Sequence, residues 1–303
     1  MKSNHILSIL DIPSEQVESL IDKGITFKSE PMVPVLNGAS VALLFEKPSL
    51  RTKVSFDVAI HELGGHPLYL SREEVGMGTR EPIADVARVL SRMVQGMIVR
   101  TFAQETLEKL ASFSTVPVIN ALSDHEHPCQ PLADLMTIKE KFGHLAGINI
   151  AYIGDGNNVA NSLTLAAASV GANITLASPE GYNLDPLILS KSNERAQKSG
   201  SNIRCIGSPE EAVDGADVIY TDVWVSMGQE QEVKERLAIF EAYKVDSNLI
   251  CKASREVIFM HPLPAHPGEE IEDGLLASSQ SVVFDQAENR LHVQKAVLSE
   301  FLV

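Results

Sequence analysis

Short apolar runs alternate along this chain with stretches in which apolar residues recur at helical spacing. The runs typical of buried strands span residues 41–45, 67–70, 97–100, 116–121, 148–153, 174–177, 203–206, 218–220 and 257–260. Helical spacing is found at residues 52–63, 83–93, 105–113, 131–142, 160–168, 210–213 and 287–302. Strands that alternate with helices in this way predict an α/β fold, in which helices flank central parallel sheets.

The pattern restarts near residue 143, after the helical stretch that ends the first series. The chain has 303 residues, which is enough for two domains. We therefore predict two similar domains, residues 1–142 and 143–286, each with its own parallel sheet. The last helix, within residues 287–303, would return to the first domain and complete it.

Four of the predicted strands run directly into polar clusters. These clusters span residues 46–52, 127–130, 222–230 and 261–264. In an open α/β protein, ligands bind outside the carboxyl ends of the strands. We therefore expect the four clusters to form one shared site.

Charge and composition narrow the classes of partner. A net charge of −15 argues against nucleic-acid binding, which usually needs a basic face, although a few local arginines can still bind a small anion. No apolar run approaches the roughly 18 residues of a membrane span, and the N-terminus lacks the apolar region of a signal peptide. Cys129, Cys205 and Cys251 have no zinc or redox spacing. We expect a cytoplasmic protein that binds no metal, membrane or nucleic acid.

The cluster at residues 46–52 joins a strand end to a helix start, where backbone N–H groups attract anions. Ser49 and Thr52 add hydroxyl groups, and the Arg51 guanidinium matches the spacing of phosphate oxygens. The glycines of a Walker A loop are absent, so this would be a different kind of phosphate site. The alternative is a capped helix with surface charges.

Arg100 ends a strand, and His127 and Gln130 lie three residues apart after the next one. Arg100 is either a surface residue or a second anion ligand. His127 and Gln130 can share a helical face and polarise a carbonyl oxygen, although a single histidine is more often structural. Arg290, near the start of the last helix, could return to the first domain as a third anion ligand.

In the second half, residues 154–158 resemble a dinucleotide-binding turn, but Val159 stands where the third glycine belongs. Asn158 is better suited to bind a polar substrate. Asp222 could bind a substrate ammonium group, and Ser226 a carboxylate or an ammonium group. The alternative for this loop is a turn with a helix cap at Ser226.

The loop at residues 261–264, His-Pro-Leu-Pro, is conformationally stiff because its two prolines fix φ and restrict the preceding residues. Such a loop can aim a backbone carbonyl at a ligand. We predict that the Leu263–Pro264 peptide bond is cis.

Together these motifs resemble the aspartate/ornithine carbamoyltransferase family over nearly the whole chain. Residues 49–52 are similar to its carbamoyl-phosphate loop, Ser-Thr-Arg-Thr, residues 127–130 to its His-Pro-x-Gln motif, and residues 261–264 to its third signature. Residues 222–230 and the tail at 284–292 are more similar to the ornithine branch than to the aspartate branch.

The resemblance implies a transferase whose first domain binds carbamoyl phosphate and whose second domain binds L-ornithine. The products would be L-citrulline and phosphate, in arginine biosynthesis, and no metal or organic cofactor would be needed. The resemblance also implies a homotrimer, or a multiple of trimers, with active sites at subunit interfaces.

The resemblance further implies roles for individual residues. Those that would bind carbamoyl phosphate are Ser49, Leu50 (by its backbone), Arg51, Thr52, Arg100, His127, Gln130, Leu263 and Arg290. Those that would act in catalysis are Arg100, His127, Gln130, Pro262 and Leu263. Those that would bind ornithine are Asn158, Asp222, Ser226 and Met227.

Three positions depart from the ornithine branch. Leu50 replaces a threonine, Pro262 stands where a cysteine is usual, and Pro267 stands where an arginine is common. The two prolines leave open another acceptor, such as aspartate, a modified ornithine or a diamine, although Asp222 and Glu230 suit a cationic acceptor better than aspartate. A nucleotide-dependent oxidoreductase and a non-catalytic relative are further alternatives.

Overall fold

The computed structural model describes residues 5–30, 33–225 and 230–303. The chain divides into two compact units: unit 1 comprises Met1–Met136 and Glu288–Val303, and unit 2 comprises Thr137–Ala287. The chain passes from one unit to the other inside two helices, Cys129–Phe142 and Val283–Phe301. Among the described residues, every helix is too short or too polar to span a bilayer.

Unit 1 is built on a parallel four-stranded sheet with the spatial order β2-β1-β3-β4. Its strands are β1 (Ser40–Phe45), β2 (His66–Ser71), β3 (Gly96–Arg100) and β4 (Val118–Leu122). Its helices are α1 (Ser14–Ser29), α2 (Leu50–Glu62), α3 (Arg72–Val75), α4 (Ile83–Leu90), α5 (Gln104–Phe113) and the first part of α6 (Cys129–Phe142).

The central strands of unit 1 consist almost wholly of apolar residues because they are covered on both faces. Every residue of β3 is buried, and so is every residue of β1 after Ser40. The pairing of β3 with β4 shifts register between Val99 and Arg100. An irregularity of this kind bends a strand and can re-aim a side chain, and here it lies at the arginine that ends the strand.

Unit 2 is built on a parallel five-stranded sheet with the order β7-β6-β5-β8-β9. Its strands are β5 (Asn149–Ile153), β6 (Asn173–Ala177), β7 (Ile203–Ile206), β8 (Val218–Thr221) and β9 (Ile258–Met260). Its helices are α7 (Asn158–Val170), α8 (Pro186–Ser199), α9 (Pro209–Val213), α10 (Val233–Phe240), α11 (Ser247–Ile250) and the start of α12 (Val283–Phe301). Short 3₁₀ helices lie at Ile9–Asp11, Glu230–Glu232, Glu241–Tyr243 and Leu275–Ala277.

The fold class predicted from the sequence is confirmed, and each predicted strand lies within two residues of an observed one. Three helices of eight or more residues were not predicted: α1, α8 and α10. Helix α8 is mostly polar and buries only Ile188, Ser192 and Ala196, four residues apart. A stripe of one apolar and two small side chains is too weak a pattern to recognise as an amphipathic helix.

Candidate active site

The connection between β1 and α2 in unit 1 has the geometry of an anion-binding helix start. Ser49 adopts an extended backbone, and its hydroxyl oxygen accepts a hydrogen bond from the Thr52 N–H (3.3 Å), which caps α2. The first N–H groups of a helix have no partner within that helix and therefore point outward with the positive end of its dipole. The Leu50 side chain is 74% exposed, whereas Thr52 is fully buried.

Two arginines from distant parts of the chain meet at the Thr52 hydroxyl. Arg290 Nη2 donates to Thr52 Oγ1 at 2.6 Å, and Arg100 Nη1 lies 3.4 Å from the same oxygen. Both guanidinium groups are buried, with 3% and 6% of each residue exposed. The Arg100 Nε atom donates no hydrogen bond to any described residue. Thr52 therefore marks the point where a helix start and two buried cations converge.

The close grouping of these cations changes the pKa of Arg100. Burial, followed by the charges of Arg290 and Arg51, lowers the pKa of Arg100 to about 9. That value is still above neutral pH, so the guanidinium keeps its charge. Burying like charges together is costly unless an anion compensates for them. The arrangement suits a ligand that brings negative charge.

His127 lies two residues before α6 and interacts electrostatically with the same two arginines, Arg100 and Arg290. Its carbonyl accepts a hydrogen bond from the Gln130 N–H (2.9 Å). Burial, reinforced by Arg290 and Arg100, lowers the pKa of His127 well below its usual range. The imidazole is therefore neutral at physiological pH, and one of its ring nitrogens is a donor.

Gln130 and Cys129 differ in what they can offer a ligand. Gln130 Nε2 donates to Asp134 Oδ1 (2.8 Å), and the buried Gln130 Oε1 accepts no hydrogen bond from the described residues. Gln130 thus presents an acceptor, which suits an amino group. Burial raises the pKa of the Cys129 thiol to about 12, so this thiol is not a nucleophile at neutral pH.

In unit 2, the polar site begins where β5 enters α7. Asn157 caps the helix, since its Oδ1 atom accepts from the N–H groups of Val159 (2.9 Å) and Ala160 (3.1 Å). Its Nδ2 atom donates to Asp222 Oδ2 (2.8 Å) after β8. Asn158, the first residue of α7, is half-buried next to this pair. Asn157 thus joins the loop that carries Asn158 to the loop that carries Asp222.

Asp222 is a buried carboxylate that a cation would stabilise. Burial raises its pKa, while His261 and the hydrogen bond from Asn157 act in the opposite direction. Its Oδ1 atom accepts from the Val223 N–H (2.8 Å). Ser226 and Met227, the other residues predicted to bind ornithine, lie outside the described residues.

The same two loops are held by an arginine that sequence reasoning missed. Arg236, on α10, forms an ion pair with Asp155 and donates from Nε to the Trp224 carbonyl (2.6 Å). Its guanidinium also stacks over the Tyr182 ring, 4.8 Å from the centroid. Gly156 follows Asp155, and a Cβ atom there would lie 2.4 Å from the Asn183 carbonyl carbon, so the turn requires glycine.

The loop after β9 carries Pro262 and Leu263. The predicted cis peptide bond between Leu263 and Pro264 is confirmed, and Leu263 has a positive φ of 58°. Pro262 is buried and Leu263 half-buried. Nearby, His266, Glu269 and Glu270 offer atoms that lie within 4.8 Å of one another, as metal ligands can, but one Glu270 oxygen already accepts hydrogen bonds from His261 and the His266 N–H.

The structure thus brings the predicted residues together in two groups. In unit 1, Ser49, Leu50 and Thr52 form one helix start, and Arg51, Arg100, His127 and Arg290 interact electrostatically. In unit 2, Asp222 is joined to the start of α7 and interacts with the loop after β9 through His261.

Comparison with known proteins gives a consistent result. Residues 4–140 match the family described as "Aspartate/ornithine carbamoyltransferase, carbamoyl-P binding domain", and residues 146–301 match its "Asp/Orn binding domain". A protein of Gloeobacter violaceus named ornithine carbamoyltransferase is 48% identical, and the alignment covers 98% of this chain and 95% of that one.

Solved structures agree. The ornithine carbamoyltransferase of Pyrococcus furiosus superimposes with a TM-score of 0.94 at 46% identity, covering 98% of this chain and 96% of that chain. A solved N-acetyl-L-ornithine transcarbamylase is also similar, with a TM-score of 0.89 at 30% identity, covering 98% and 99% of the two chains. The chain described here therefore belongs to the aspartate/ornithine carbamoyltransferase family.

Proposed function

We propose that this protein transfers the carbamoyl group of carbamoyl phosphate to the δ-amine of L-ornithine, giving L-citrulline and phosphate in arginine biosynthesis. The observation that carries the proposal is the convergence of Arg100 and Arg290 on the Thr52 hydroxyl, beside the neutral imidazole of His127. Relatives that are 48% identical over nearly the whole chain and are named ornithine carbamoyltransferase support it.

Unit 1 would bind carbamoyl phosphate. Guanidinium groups and helix N–H groups are the strong ligands of a phosphate, and the residues in these roles are Ser49, the Leu50 backbone, Arg51, Thr52, Arg100 and Arg290. Arg100, His127 and the Thr52 hydroxyl would donate to the carbamoyl oxygen, where negative charge develops in the tetrahedral intermediate. Gln130 Oε1 would accept a hydrogen bond from the carbamoyl amino group, and so would the Leu263 carbonyl, which the chain supplies from the loop after β9.

Unit 2 would bind ornithine, with Asn158, Asp222, Ser226 and Met227 as its ligands. The buried Asp222 carboxylate favours a cationic amino acid because an ammonium group would compensate its charge. The attacking δ-amine must be uncharged, so it loses its proton before it attacks the carbamoyl carbon. The C–N bond then forms, the C–O bond to phosphate breaks, and phosphate leaves with the bonding electrons and takes up the proton that the δ-nitrogen loses.

The assembly and its location are further parts of the proposal. We propose a homotrimer, or a multiple of trimers, with active sites at subunit interfaces, in the cytoplasm. Sedimentation velocity on the purified protein would measure the mass of the assembly. A stable monomer that catalyses carbamoyl transfer as fast as the assembled protein would contradict the trimer.

A second acceptor class is kept because Pro262 stands where the ornithine branch usually has cysteine. The thiol that would lie near the substrate amine is absent, so a modified ornithine, a diamine or aspartate could be the acceptor. Asp222 makes aspartate the weakest of these, since two carboxylates would repel each other.

The test measures formation of the ureido product from carbamoyl phosphate, in parallel reactions with L-ornithine, N-acetyl-L-ornithine, putrescine and L-aspartate. Turnover with ornithine alone is expected. Turnover with only one of the other amines would keep the role of unit 1 and replace the acceptor. The absence of turnover with all four would overturn the proposed function.

A further inference from the structure

Two prolines leave the loop at residues 261–264 with only two backbone N–H groups, and side chains hold both. The His261 N–H donates to Gln286 Oε1 (2.9 Å). The Leu263 N–H donates to Nδ1 of the His261 ring (2.9 Å). Both acceptor side chains are fully buried. The path of the loop is therefore set by His261 and Gln286 and not by strand pairing, because β9 ends at Met260.

These contacts fix the tautomer of His261. Its Nδ1 atom accepts the Leu263 N–H and so carries no proton. Its Nε2 atom lies 3.2 Å from Glu270 Oε1, and because an ionised carboxylate only accepts, Nε2 must carry the ring proton. The same Glu270 oxygen accepts the His266 N–H at 2.5 Å. Burial acts to raise the pKa of Glu270, but the hydrogen bonds from His261 and His266 outweigh it and the pKa is lowered, which keeps Glu270 ionised.

Leu263 needs such a restraint. A residue other than glycine rarely adopts a φ of 58°, and such a backbone conformation persists only where the surrounding structure holds it. The Leu263 N–H has one observed partner, the His261 ring. The peptide that follows it presents the Leu263 carbonyl, so the direction of that carbonyl depends on the ring.

We propose that His261 is a positioning residue for carbamoyl transfer: its Nδ1 atom holds the Leu263 peptide so that the Leu263 carbonyl receives the carbamoyl amino group, and Glu270 keeps the ring in the required tautomer. This inference rests on the proposed function, in which the Leu263 carbonyl is a ligand of carbamoyl phosphate. It also explains why a proline is accepted at position 262, since no N–H of that residue is needed to hold the loop.

Two substitutions of His261 separate the two ring nitrogens. Asparagine places an oxygen near the position of Nδ1 and keeps an acceptor for Leu263, whereas glutamine places a donor near the position of Nε2 and keeps only the contact with Glu270. His261→Gln is expected to lower kcat roughly 100-fold, because a misplacement of about 1 Å has an effect of that size. His261→Asn is expected to retain kcat to within about fivefold, which corresponds to roughly one lost hydrogen bond.

The measurement is the steady-state rate with carbamoyl phosphate and L-ornithine, with circular dichroism to show that each variant is folded. The exposed His144 of unit 2 supplies the matched control, His144→Gln, which should leave both kcat and KM unchanged. Equal losses in the two His261 variants would overturn the inference, and so would an unchanged kcat in His261→Gln. The parent protein separates the proposed function from the role of His261. If the parent protein converts ornithine and carbamoyl phosphate to citrulline, the variants test only the role of His261.

A second pair of variants decides the matter if His261→Asn does not fold. Glu270→Gln keeps an oxygen that can accept from the His261 ring and from the His266 N–H, whereas Glu270→Leu removes it. The expected result is a kcat near that of the parent for Glu270→Gln and a loss of at least tenfold for Glu270→Leu. If Glu270→Leu keeps its kcat, the tautomer of His261 has no role in the reaction and the inference fails.

Discussion

The candidate sites of the two units differ in the charge of their buried groups. In unit 1, Arg51, Arg100 and Arg290 surround a helix start, and burial lowers the pKa of Arg100 to about 9. At the candidate site of unit 2, Asp222 is a buried carboxylate, and burial raises its pKa. Each shift means that the charged form is disfavoured in the folded chain without a ligand. The two units therefore offer opposite charges, one suited to a phosphate and the other to an ammonium group.

Both buried charges reduce the stability of the ligand-free fold. The folded-state pKa of Asp222 is raised, so its neutral form contributes stability that is complete below the unfolded pKa of about 3.9 and is lost as pH rises through the folded value. At neutral pH the ionised form of Asp222 lowers the free energy of unfolding. Arg100 lowers it too, because burial disfavours the charged guanidinium as it disfavours the charged carboxylate. Functional sites often retain such groups although they destabilise the protein.

The largest effect is expected from Arg100→Met. It removes a phosphate ligand together with a donor to the carbamoyl oxygen, and such losses together lower kcat/KM by about 10⁴-fold. Inorganic phosphate at 100 times its Kd should raise the Tm of the parent protein by roughly 5 °C, and this shift should vanish in the variant. Without phosphate, the variant should melt at or above the temperature of the parent.

The control for Arg100 is Arg88→Met, because Arg88 is an exposed arginine of unit 1 that forms a surface ion pair with Asp85 and lies over the Phe113 ring. It should keep both the activity and the phosphate-dependent shift in Tm. A full phosphate shift in Arg100→Met would show that the anion binds elsewhere.

Asp222→Asn tests the other side of the comparison. Loss of one partner of a buried charge pair costs about 2–5 kcal/mol, so kcat/KM for ornithine should fall by a factor of roughly 30 to 5,000. Because unit 1 is untouched, the phosphate-dependent rise in Tm should remain, and the ligand-free variant should be more stable at pH 7 than the parent. Asp214→Asn, at an exposed aspartate of the same unit, should change none of these quantities. If the phosphate-dependent rise in Tm disappeared in Asp222→Asn, unit 2 would also contribute to phosphate binding, and the proposed division of roles between the units would be wrong.

The sequence located the strand ends well because apolar runs followed by polar clusters are a local signal. It did not determine whether Arg100 is buried, since an arginine that ends a strand is equally compatible with the surface. The answer depends on the register shift after Val99 and on Arg290, which comes from a helix 190 positions later along the chain and shares the Thr52 hydroxyl. Contacts between residues so far apart in the chain produce no periodic pattern in a single sequence.

The supports of unit 2 were missed for the same reason. Arg236 lies 81 residues from Asp155, on a helix that was not predicted, and nothing near it in the sequence indicates a buried ion pair. The role of the His261 ring was hidden because its partners, Glu270 and the Leu263 N–H, become visible only when the loop has its three-dimensional path. Ornithine-binding roles for Asn158, Asp222, Ser226 and Met227 stay predictions.

The pH dependence of the reaction gives an effect of intermediate size. A δ-amine with a pKa near 10 is mostly protonated at neutral pH, so kcat/KM for ornithine should rise about tenfold per pH unit from about pH 6 to 9. His127 should add no break in this range, because its pKa is well below its usual value. Steady-state rates over this range test both statements. A flat profile would mean that loss of the amine proton does not precede attack.

The smallest effect is expected from Arg236→Lys. Lysine keeps the charge that faces Asp155 but cannot also reach the Trp224 carbonyl as the guanidinium does, so about one hydrogen bond is lost and KM for ornithine should rise about fivefold. KM for carbamoyl phosphate should stay constant, since Arg236 belongs to unit 2. The control is Arg204→Lys, in an exposed pair with Glu211 that contributes little. If both KM values rose together, Arg236 would stabilise the whole fold and would not position the loops that carry Asn158 and Asp222. If only the KM for ornithine rose, the separate roles of the two units would depend also on residues that touch neither substrate.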